Sequence, residues 1–513
     1  MSGTGCGGRH VFLILTSRTK IYNLVKSIYC QDEKEIRVSM HNAKPATWNT
    51  SMADITELDA LSLSRAIREK KLSCQETMCA YLRRIEKTNP AVNAIVSLRP
   101  QDKLLNVAKE YDELLARGQY LGWMHGMPQA PKDVTPVRGL LTTYGSPLLR
   151  NFLPQADAPA IARMRAAGAI FIGRTNVPEF ALGSQTYNSL FGPTRNALDP
   201  RLTAGGSSGG AAAALALNLL PVADGSDMMG SLRNPAAFNN VYGMRPSHGR
   251  VPSGTPDLFC QQLATEGPMA RNIADLATLL RTQAGHLEND PLSMRAALPD
   301  EGLERDFKGC RIGWLGDLGG HLAFDPGVLE LCEQALKKFD ALGARVEAIV
   351  APFSPEQMWD TWLTWRHYLL AGALGVHYAD PKRRAQLKPE AIWEIEQGLD
   401  MPAARLYGAS LARSSLYRAV VQAFEKVDFL VLPAAQVFPF DVEINWPREV
   451  GGRPMDTYHR WMEVTILPSL VGCPALAVPA GFNAEGLPAG LQIIGRPGAD
   501  WPVLQMGRAW EQA

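Results

Sequence analysis

Serines in two glycine-containing runs and one upstream lysine have the chemistry of an acyl-transfer site. The run Gly205–Gly210 contains two adjacent serines, and a second run, Gly225–Arg233, contains two more. Lys132 lies upstream of both runs. A serine hydroxyl is too weakly acidic to attack an amide unaided, so it needs a base. A lysine whose pKa is lowered from about 10.4 by burial can be that base, and a second serine can relay the proton. These residue types predict an enzyme that cleaves amide-type bonds.

The glycine-rich run Gly205–Gly210 admits other interpretations. A phosphate-binding P-loop requires a lysine directly after its last glycine, which this run lacks. Gly205–Gly209 fits the G-x-S-x-G pattern of an α/β-hydrolase nucleophile elbow, but that elbow follows a buried strand, and here a polar segment, 196–204, precedes the run. A structural turn that caps the helix predicted over 211–220 is the usual role of such a stretch. The second Gly-Ser run and the upstream lysine favour the acyl-transfer interpretation.

The bulk composition bears on partners and location. The chain has 513 residues, of which 46% are hydrophobic and 20% charged, and its formal net charge is +1. This balance provides no strong field for nucleic acid or for an anionic membrane. No apolar run reaches the roughly 18 residues of a membrane span, so none is predicted. The eight cysteines are scattered without a C-x-x-C pair, which favours a reducing compartment and predicts a cytoplasmic location.

Apolar strands alternate with helices along the chain and predict an α/β fold. Helical spacing of apolar residues recurs over 55–85 and 102–117. A β-α-β pattern is formed by a strand at 311–315, a helix over 327–342 and a strand at 344–350. Further buried strands are predicted at 94–98, 167–173, 427–433, 473–479 and 490–495. Since no repeat or linker divides these elements, we expect one largely buried sheet.

Two regions differ from the rest of the chain. Residues 1–52 lack sustained periodicity, so we expect a poorly ordered N-terminal extension before a single domain over 53–513. The segment 355–420 is mostly helical in pattern and rich in aromatic residues. These are Trp359, Trp362, Trp365, Tyr368, Trp393, Tyr407 and Tyr417. Such a segment either caps the site or packs as ordinary helices, and the pattern leaves both open.

In their order along the chain, these motifs resemble the amidase signature family over roughly residues 54–511. The segments that carry the resemblance are Gly126–Asp133, Thr142–Ser146, Gly173–Phe180, Gly205–Gly210, Gly225–Arg233, Gly243–Pro246, Gly249–Val251 and Gly472–Gly495. A series of segments in one order is more specific than a single glycine run. The resemblance implies the amidase signature fold, an α/β architecture with a large central mixed β-sheet flanked by helices on both faces.

The resemblance also implies a Ser–cis-Ser–Lys triad. Ser231 matches the nucleophile that forms the acyl-enzyme, and Lys132 matches the general base. Ser207 matches the serine that follows a cis peptide bond, here the bond from Gly206. Ser208 matches a supporting hydroxyl in the same network. In the implied mechanism, Lys132 takes a proton from Ser231 through Ser207.

The same resemblance assigns roles to the residues of the turn before the nucleophile. The backbone N–H groups expected to hold the oxyanion are those of Met228, Met229, Gly230 and Ser231. Asp227 and Arg233 are expected to anchor the turn, the alternative being an ordinary surface ion pair. Met229 stands where the family usually has glycine, and methionine disfavours a positive φ. Either this position has an ordinary backbone conformation or the turn is reshaped, and the side chain either enters the acyl pocket or packs behind it.

The resemblance favours a free-standing bacterial-type amidase over the A subunit of a tRNA-dependent amidotransferase. That subunit usually has Arg-Gln-Pro after the nucleophile, whereas this chain has Arg233-Asn234-Pro235. The segment Asp456–Trp461 also resembles the hydrolase pattern. A non-catalytic relative that keeps the fold is a further alternative, and the intact lysine and serines argue against it.

The expected substrate is a small apolar or aryl amide. The aromatic residues of segment 355–420 and the methionines Met228 and Met229 favour it, while esters, carbamates and aryl acylamidase-type anilides stay open. The implied mechanism needs no cofactor. The dispersed histidines, among them His125 and His248, form no H-E-x-x-H motif and predict no metal site. A homodimer is one assembly that the chain could form.

Overall fold

The computed structural model describes residues 52–260 and 262–513. Of the predicted extension 1–52, every residue except 52 lies outside the described residues. The strands of the described residues, in chain order, are β1 Ile95–Val96, β2 Pro128–Gln129, β3 Ile170–Phe171, β4 Arg174–Thr175, β5 Ala223–Asp227, β6 Tyr242–Arg245, β7 Thr265–Ala270, β8 Arg311–Trp314, β9 Arg345–Ala348, β10 Phe429–Pro433, β11 Glu449–Val450, β12 Arg453–Pro454, β13 Ala475–Phe482 and β14 Pro488–Ile494.

Helices connect most of these strands. The α-helices of the described residues are Met52–Glu57, Ala60–Arg68, Cys74–Val92, Gln101–Ala116, Pro159–Ala166, Gly209–Ala216, Arg233–Phe238, Ile273–Gln283, Val328–Ala335, Lys337–Ala341, Pro355–Tyr378, Pro381–Arg384, Pro389–Leu399, Ala403–Lys426, Ile466–Val471 and Asp500–Gln512. Short 3-10 helices occur at Pro147–Leu149, Glu179–Ala181 and Arg460–Thr465. None of the helices in these ranges combines the length and the apolar composition that crossing a lipid bilayer requires.

The centre of the fold is an eight-stranded sheet with the order β5-β7-β6-β13-β14-β10-β8-β9. The pairings from β5 to β10 are antiparallel, and β10, β8 and β9 pair in parallel. Every residue of β10 and β14 is buried, as continuous apolar strands inside a covered sheet should be. The mixed sheet confirms the predicted α/β class.

The predicted β-α-β unit is present, with one change in its helix. Strand β8 pairs in parallel with β9, Arg311 lying opposite Arg345. The single helix predicted over 327–342 is instead two helices that meet at Leu336. The N–H of Leu336 is shared between the carbonyls of Cys332 and Glu333, which tightens the backbone there. Apolar spacing does not register such a local tightening, because the buried face continues through it.

The helix after the glycine-rich run begins earlier and ends earlier than predicted. It covers Gly209–Ala216 rather than 211–220, and Asn218 has a φ of 58° just beyond its end. All of its residues through Leu215 are buried. A Cβ atom on Gly210 would lie 2.7 Å from the carbonyl oxygen of Ala94 and closer still to the backbone N of Asn176. Glycine is therefore required here for close backbone packing, which holds the helix and the run before it in place.

The segment 355–420 is helical, as predicted. Its first helix, Pro355–Tyr378, begins at the cap residue Ser354, whose side chain accepts a hydrogen bond from the N–H of Gln357. This helix packs against Pro389–Leu399 and Ala403–Lys426. Trp362 is fully buried within this packing. Part of the segment is therefore ordinary helix packing, and its other contribution is to the pocket described below.

We expect Gly210→Ala to destabilise the fold by about 1–3 kcal/mol, because the added methyl group overlaps backbone atoms that cannot move aside. The matched control is Gly408→Ala, at an exposed position within the helix Ala403–Lys426 where an added Cβ meets nothing within 4 Å. That change should stabilise by up to about 1 kcal/mol through helix propensity. Urea unfolding midpoints check both, and an unchanged midpoint for Gly210→Ala would contradict the packing argument.

Candidate active site

Two segments bring the predicted serines Ser207 and Ser231 to one place. Strand β5 ends at Asp227, and the turn after it carries Ser231 into the helix Arg233–Phe238. The glycine-rich run carries Ser207 into the helix Gly209–Ala216. The two are joined where the N–H of Ser208 donates to the Ser231 carbonyl at 3.1 Å.

Lys132 is fully buried and its amine is held by hydroxyl groups. Its Nζ donates to Ser207 Oγ at 2.8 Å and to Ser226 Oγ at 2.9 Å, and it also contacts the Ser226 carbonyl at 3.2 Å. Burial lowers the pKa of Lys132 to about 7, although the carboxylates of Asp227 and Asp224 act in the opposite direction. An amine with this pKa is partly neutral near pH 7 and can accept a proton.

The serine that contacts Lys132 has the backbone geometry that the family resemblance implies. The Gly206–Ser207 peptide bond is cis. The Gly206 N–H donates to Asn234 Oδ1 at 3.0 Å, which fixes the run against the next helix. Ser208 Oγ donates to the Ser226 carbonyl at 3.4 Å, so this serine lies beside the lysine site.

The structure brings Ser231 to the same pocket but not into a hydrogen bond with Ser207. Both serines line one cavity, and they are 6% and 1% exposed. Within the described part of the chain, no hydrogen bond joins their hydroxyl groups. The amine of Lys132 therefore contacts Ser207 directly, whereas Ser231 only shares the cavity with Ser207. Catalytic hydrogen bonds often tighten only when substrate binds, so this spacing is compatible with a relay.

A buried ion pair fixes the turn that carries Ser231. Asp227 and Arg233 are both fully buried and are joined by two hydrogen bonds, Nη2 to Oδ1 at 2.8 Å and Nε to Oδ2 at 3.0 Å. Although burial acts in the opposite direction, the guanidinium of Arg233 holds the pKa of Asp227 below its ordinary range. The alternative of a surface ion pair is therefore wrong. Arg233 also donates to Gln492 Oε1 at 2.5 Å, which ties the turn to β14.

The expected oxyanion donors need one correction. The N–H of Gly230 donates to Asp227 Oδ1 at 3.0 Å, so it is already occupied. The N–H groups of Met228, Met229 and Ser231 donate to no acceptor among the residues that the structure describes. A carboxylate at the end of β5 takes up the Gly230 donor, and the sequence pattern alone could not show this.

The structure shows which of the expected arrangements Met229 adopts. Its φ is not positive, whereas Gly230 has a φ of 76°, so only the second position of the usual glycine pair needs glycine. The side chain is 4% exposed, packs in a buried apolar cluster with Phe238 and Leu263, and also lines the pocket. The Met229 side chain therefore both lines the pocket and packs in the apolar cluster, although these were expected to be alternatives.

The pocket has a volume of about 490 Å³ and mostly apolar walls. Its aromatic side chains come from the first half of the chain: Tyr144, Phe152 and Phe180. The helix Pro355–Tyr378 contributes Arg366, Leu370, Ala373 and Leu374. None of the seven aromatic residues expected from segment 355–420 lines this pocket in the described part of the chain. The segment does reach the pocket, but with its aliphatic side chains and one arginine.

Three polar residues beside Lys132 were not predicted from the sequence. Asp224 and Ser226 alternate on β5 and therefore point to one face, and Glu266 of β7 lies directly opposite Ser226 on that face. Burial raises the pKa of Glu266 to about 8, and Asp224 adds to the effect. The period-two spacing of Asp224 and Ser226 was a usable signal. Glu266 comes from another strand, so only the sheet register reveals it.

Two of the dispersed histidines, His125 and His248, differ in their position relative to the pocket. His125 is buried away from the pocket, where its Nδ1 accepts from the Leu121 N–H at 3.2 Å. His248 is also buried but lines the pocket. Burial lowers the pKa of His248 to about 4, so the ring is neutral near pH 7.

The comparisons with known proteins agree with this geometry. The family model described as Amidase matches residues 76–504. This chain belongs to the amidase signature family. The A subunit of glutamyl-tRNA(Gln) amidotransferase from Thermosynechococcus vestitus is 34% identical to this amidase signature chain over 475 residues, which are 88% of this chain and 96% of that protein.

Solved structures show the same fold. A crystal structure of a bacterial aryl acylamidase of the amidase signature enzymes has a TM-score of 0.84 and 28% identity, and covers 90% of this amidase signature chain and 96% of that chain. The crystal structure of the A subunit of glutamyl-tRNA(Gln) amidotransferase from Thermotoga maritima has a TM-score of 0.71 and 27% identity, and covers 90% and 94%. The family therefore includes both free enzymes and subunits of a larger transferase.

The pKa of Lys132 leads to a prediction about pH. If the neutral amine of Lys132 is the base, labelling of Ser231 by a fluorophosphonate should become about 10-fold faster from pH 6 to pH 8, with a midpoint near the pKa of about 7. Lys132→Ala should label slowly, without this rise. Intact-protein mass spectrometry measures the rates, and a flat profile for the unmodified chain would contradict the assignment.

Proposed function

We propose that this chain is a free-standing amide hydrolase that works through a Ser–Ser–Lys triad. The observation that carries the proposal is the 2.8 Å hydrogen bond from Lys132 Nζ to Ser207 Oγ, inside a buried site that opens on the pocket of Ser231. A lysine buried without a directly bonded carboxylate loses its proton more readily than one in water. A serine bonded to such an amine, with a second serine in the same pocket, is suited to nucleophilic catalysis.

Acylation begins with a relayed proton transfer. Ser231 turns about its Cα–Cβ bond toward Ser207 and gives up its proton, while Ser207 passes its own proton to neutral Lys132. Ser231 Oγ forms a bond to the amide carbon, and the carbonyl oxygen becomes an oxyanion. The C–N bond then breaks, and the proton returns from Lys132 through Ser207 to the leaving nitrogen. The products of this step are a free amine and an acyl-enzyme.

Deacylation repeats these proton transfers, with water as the attacking group. Water attacks the acyl carbon and its proton passes to Lys132. The bond from the carbon to Ser231 Oγ breaks, and Ser231 regains a proton through Ser207. A carboxylic acid leaves, and the amine of Lys132 is neutral again for the next cycle.

The turn after β5 supplies the oxyanion site in this proposal. The donors are the N–H groups of Met228, Met229 and Ser231, because Gly230 is bonded to Asp227. Each donor of this kind contributes roughly 100- to 1,000-fold in rate when it is aimed at the developing charge. The buried pair of Asp227 and Arg233 positions the donors, while Ser208 and Gly206 support Ser207 from the other side.

The walls of the pocket indicate the substrate class. Phe152, Phe180 and Leu374 present apolar surface, which favours aryl or apolar acyl and amine groups. The similarity to the aryl acylamidase structure supports anilides, and esters and carbamates fit the same chemistry. The helical segment 355–420 caps the site in this proposal.

The cysteines of the described residues are free thiols, which supports a cytoplasmic location.

The alternative is the A subunit of an amidotransferase, which acts only in a complex. It is favoured by the 34% identity to the Thermosynechococcus vestitus protein. The higher TM-score with the aryl acylamidase, 0.84 against 0.71 with the Thermotoga maritima protein, favours the free hydrolase. The residue after Arg233, asparagine rather than glutamine, supports the same choice.

Ser231→Ala should abolish both fluorophosphonate labelling and hydrolysis of an aryl amide, because the change removes the oxygen that attacks the carbonyl carbon. We expect a loss of at least about 1,000-fold in kcat/KM, with little change in the thermal unfolding temperature. Ser410→Ala, on the helix Ala403–Lys426, is the matched control and should keep full activity. Near-normal turnover by Ser231→Ala would exclude it as the nucleophile.

The purified chain should hydrolyse aryl amides without any partner protein. Release of the aniline is followed by chromatography with a panel of anilides, aliphatic amides, esters and carbamates. The proposal predicts turnover that is proportional to enzyme concentration and independent of added glutamine or tRNA. Turnover that appears only with partner subunits would establish the amidotransferase alternative instead.

A further inference from the structure

A polar patch interrupts the apolar wall of the pocket. It is formed by Arg366, from the helix Pro355–Tyr378, and His459, just before the 3-10 helix Arg460–Thr465. Both residues line the pocket, although they are only 4% and 1% exposed. Neither takes part in the triad chemistry described above.

Among the described residues, one nitrogen of Arg366 has no strong acceptor. Its Nε donates to Glu394 Oε1 at 2.5 Å, and its Nη2 donates to Tyr458 OH at 2.6 Å. Its Nη1 contacts Met228 Sδ at 3.3 Å, and a thioether sulfur is a weak acceptor. A guanidinium nitrogen that is desolvated beside the pocket therefore has donor capacity left for a ligand.

His459 has two ring nitrogens without partners. Neither forms a hydrogen bond with any residue in the ranges that the structure describes, although the side chain is buried. The rings of Trp359 and Tyr458 lie 5.3 and 4.6 Å from the imidazole and hold it in place. A buried imidazole with unused nitrogens costs free energy unless something else bonds to it.

We propose that Arg366 and His459 form a polar subsite that binds a neutral oxygen acceptor carried by the substrate, such as a second carbonyl group. The Nη1 group of Arg366 donates to that oxygen, and His459 bonds to the same group or to its neighbour. This inference rests on the proposed hydrolase function and narrows its substrate class. The substrate is an amide with an apolar body and one further carbonyl-type group.

The charges around the subsite favour a neutral acceptor over a carboxylate. Glu394 is buried and already balances Arg366, and its second oxygen accepts from His367 Nδ1 at 2.7 Å. A substrate carboxylate would place a second anion beside Glu394 in a pocket with apolar walls. Its desolvation would then be poorly compensated. A ketone or amide oxygen adds no net charge and uses the free donor.

The test compares ligands that differ only in this oxygen. One pair is the anilide of a γ-keto acid and the anilide of its γ-methylidene isostere. The second pair is acetanilide with a para-acetyl group and with a para-isopropenyl group, which tests the amine side. The monoanilide of succinic acid supplies a carboxylate. The readout is the ligand concentration that half-protects Ser231 from a fluorophosphonate, so no turnover is needed.

We expect the carbonyl member of at least one pair to protect the unmodified chain at a concentration about 10-fold or more lower than its isostere. Arg366→Lys keeps a positive charge opposite Glu394 but removes Nη1, and it should reduce the ratio to about 3-fold or less. His459→Phe is a second variant that keeps an aromatic ring and should also reduce the ratio. Arg384→Lys, on an exposed helix away from the pocket, is the matched control and should leave the ratio unchanged.

Each result decides a definite point. Equal protection by both members of both pairs, or a ratio that survives Arg366→Lys and His459→Phe, overturns the subsite while labelling of Ser231 leaves the hydrolase proposal intact. Stronger protection by the succinic monoanilide than by the ketone overturns the choice of a neutral group. Failure of Ser231 to label in the unmodified chain overturns the proposed function, and the subsite inference fails with it. The labelled fraction also shows whether each variant is folded.

Discussion

The burial of one lysine amine is the constraint on which the rest of the site depends. Removing an amine from water disfavours its charged form, and this lowers the pKa of Lys132 to about 7. The amine still needs polar partners, and Ser207 and Ser226 supply hydroxyl groups rather than carboxylates. A direct ion pair would stabilise the ammonium form and remove the base. The close packing around Gly210 holds the glycine-rich run that carries the Ser207 hydroxyl to this buried amine.

The carboxylate of Asp227, four residues before Ser231, has a structural role. Asp227 is enclosed by Arg233 and Arg245 and accepts the N–H groups of Gly230 and Leu232. Because two guanidinium groups compensate it, it raises the pKa of Lys132 less than an isolated carboxylate would. The same ion cluster fixes the turn, so one set of contacts both positions Ser231 and limits the charge on the base.

The sequence predicts which residues the candidate site should contain, and it predicts little of the substrate specificity. Residue types and spacing indicate serines in two glycine-containing runs and an upstream lysine, and the family resemblance selects Ser207, Ser231 and Lys132 among them. Glu266 reaches the lysine only through the register of β5 and β7. The aromatic residues of segment 355–420 were expected in the pocket, but Trp362 faces the core and Arg366 faces the pocket. Helical periodicity shows that a helix has a buried face, and it cannot tell which neighbour that face meets.

Two buried basic side chains near the pocket, Lys132 and Arg366, differ in whether a carboxylate bonds to them directly. Lys132 has no directly bonded carboxylate and is a compact amine, so burial favours its neutral form. Burial also acts to lower the pKa of Arg366, but Glu394 and Tyr458 raise it above its ordinary range, so this residue stays charged. Among the described residues, the amine that is proposed to exchange protons has no directly bonded carboxylate, whereas the guanidinium that only donates hydrogen bonds is paired with one. In the proposed function, this difference in pairing, rather than burial itself, separates proton transfer at Lys132 from substrate recognition at Arg366.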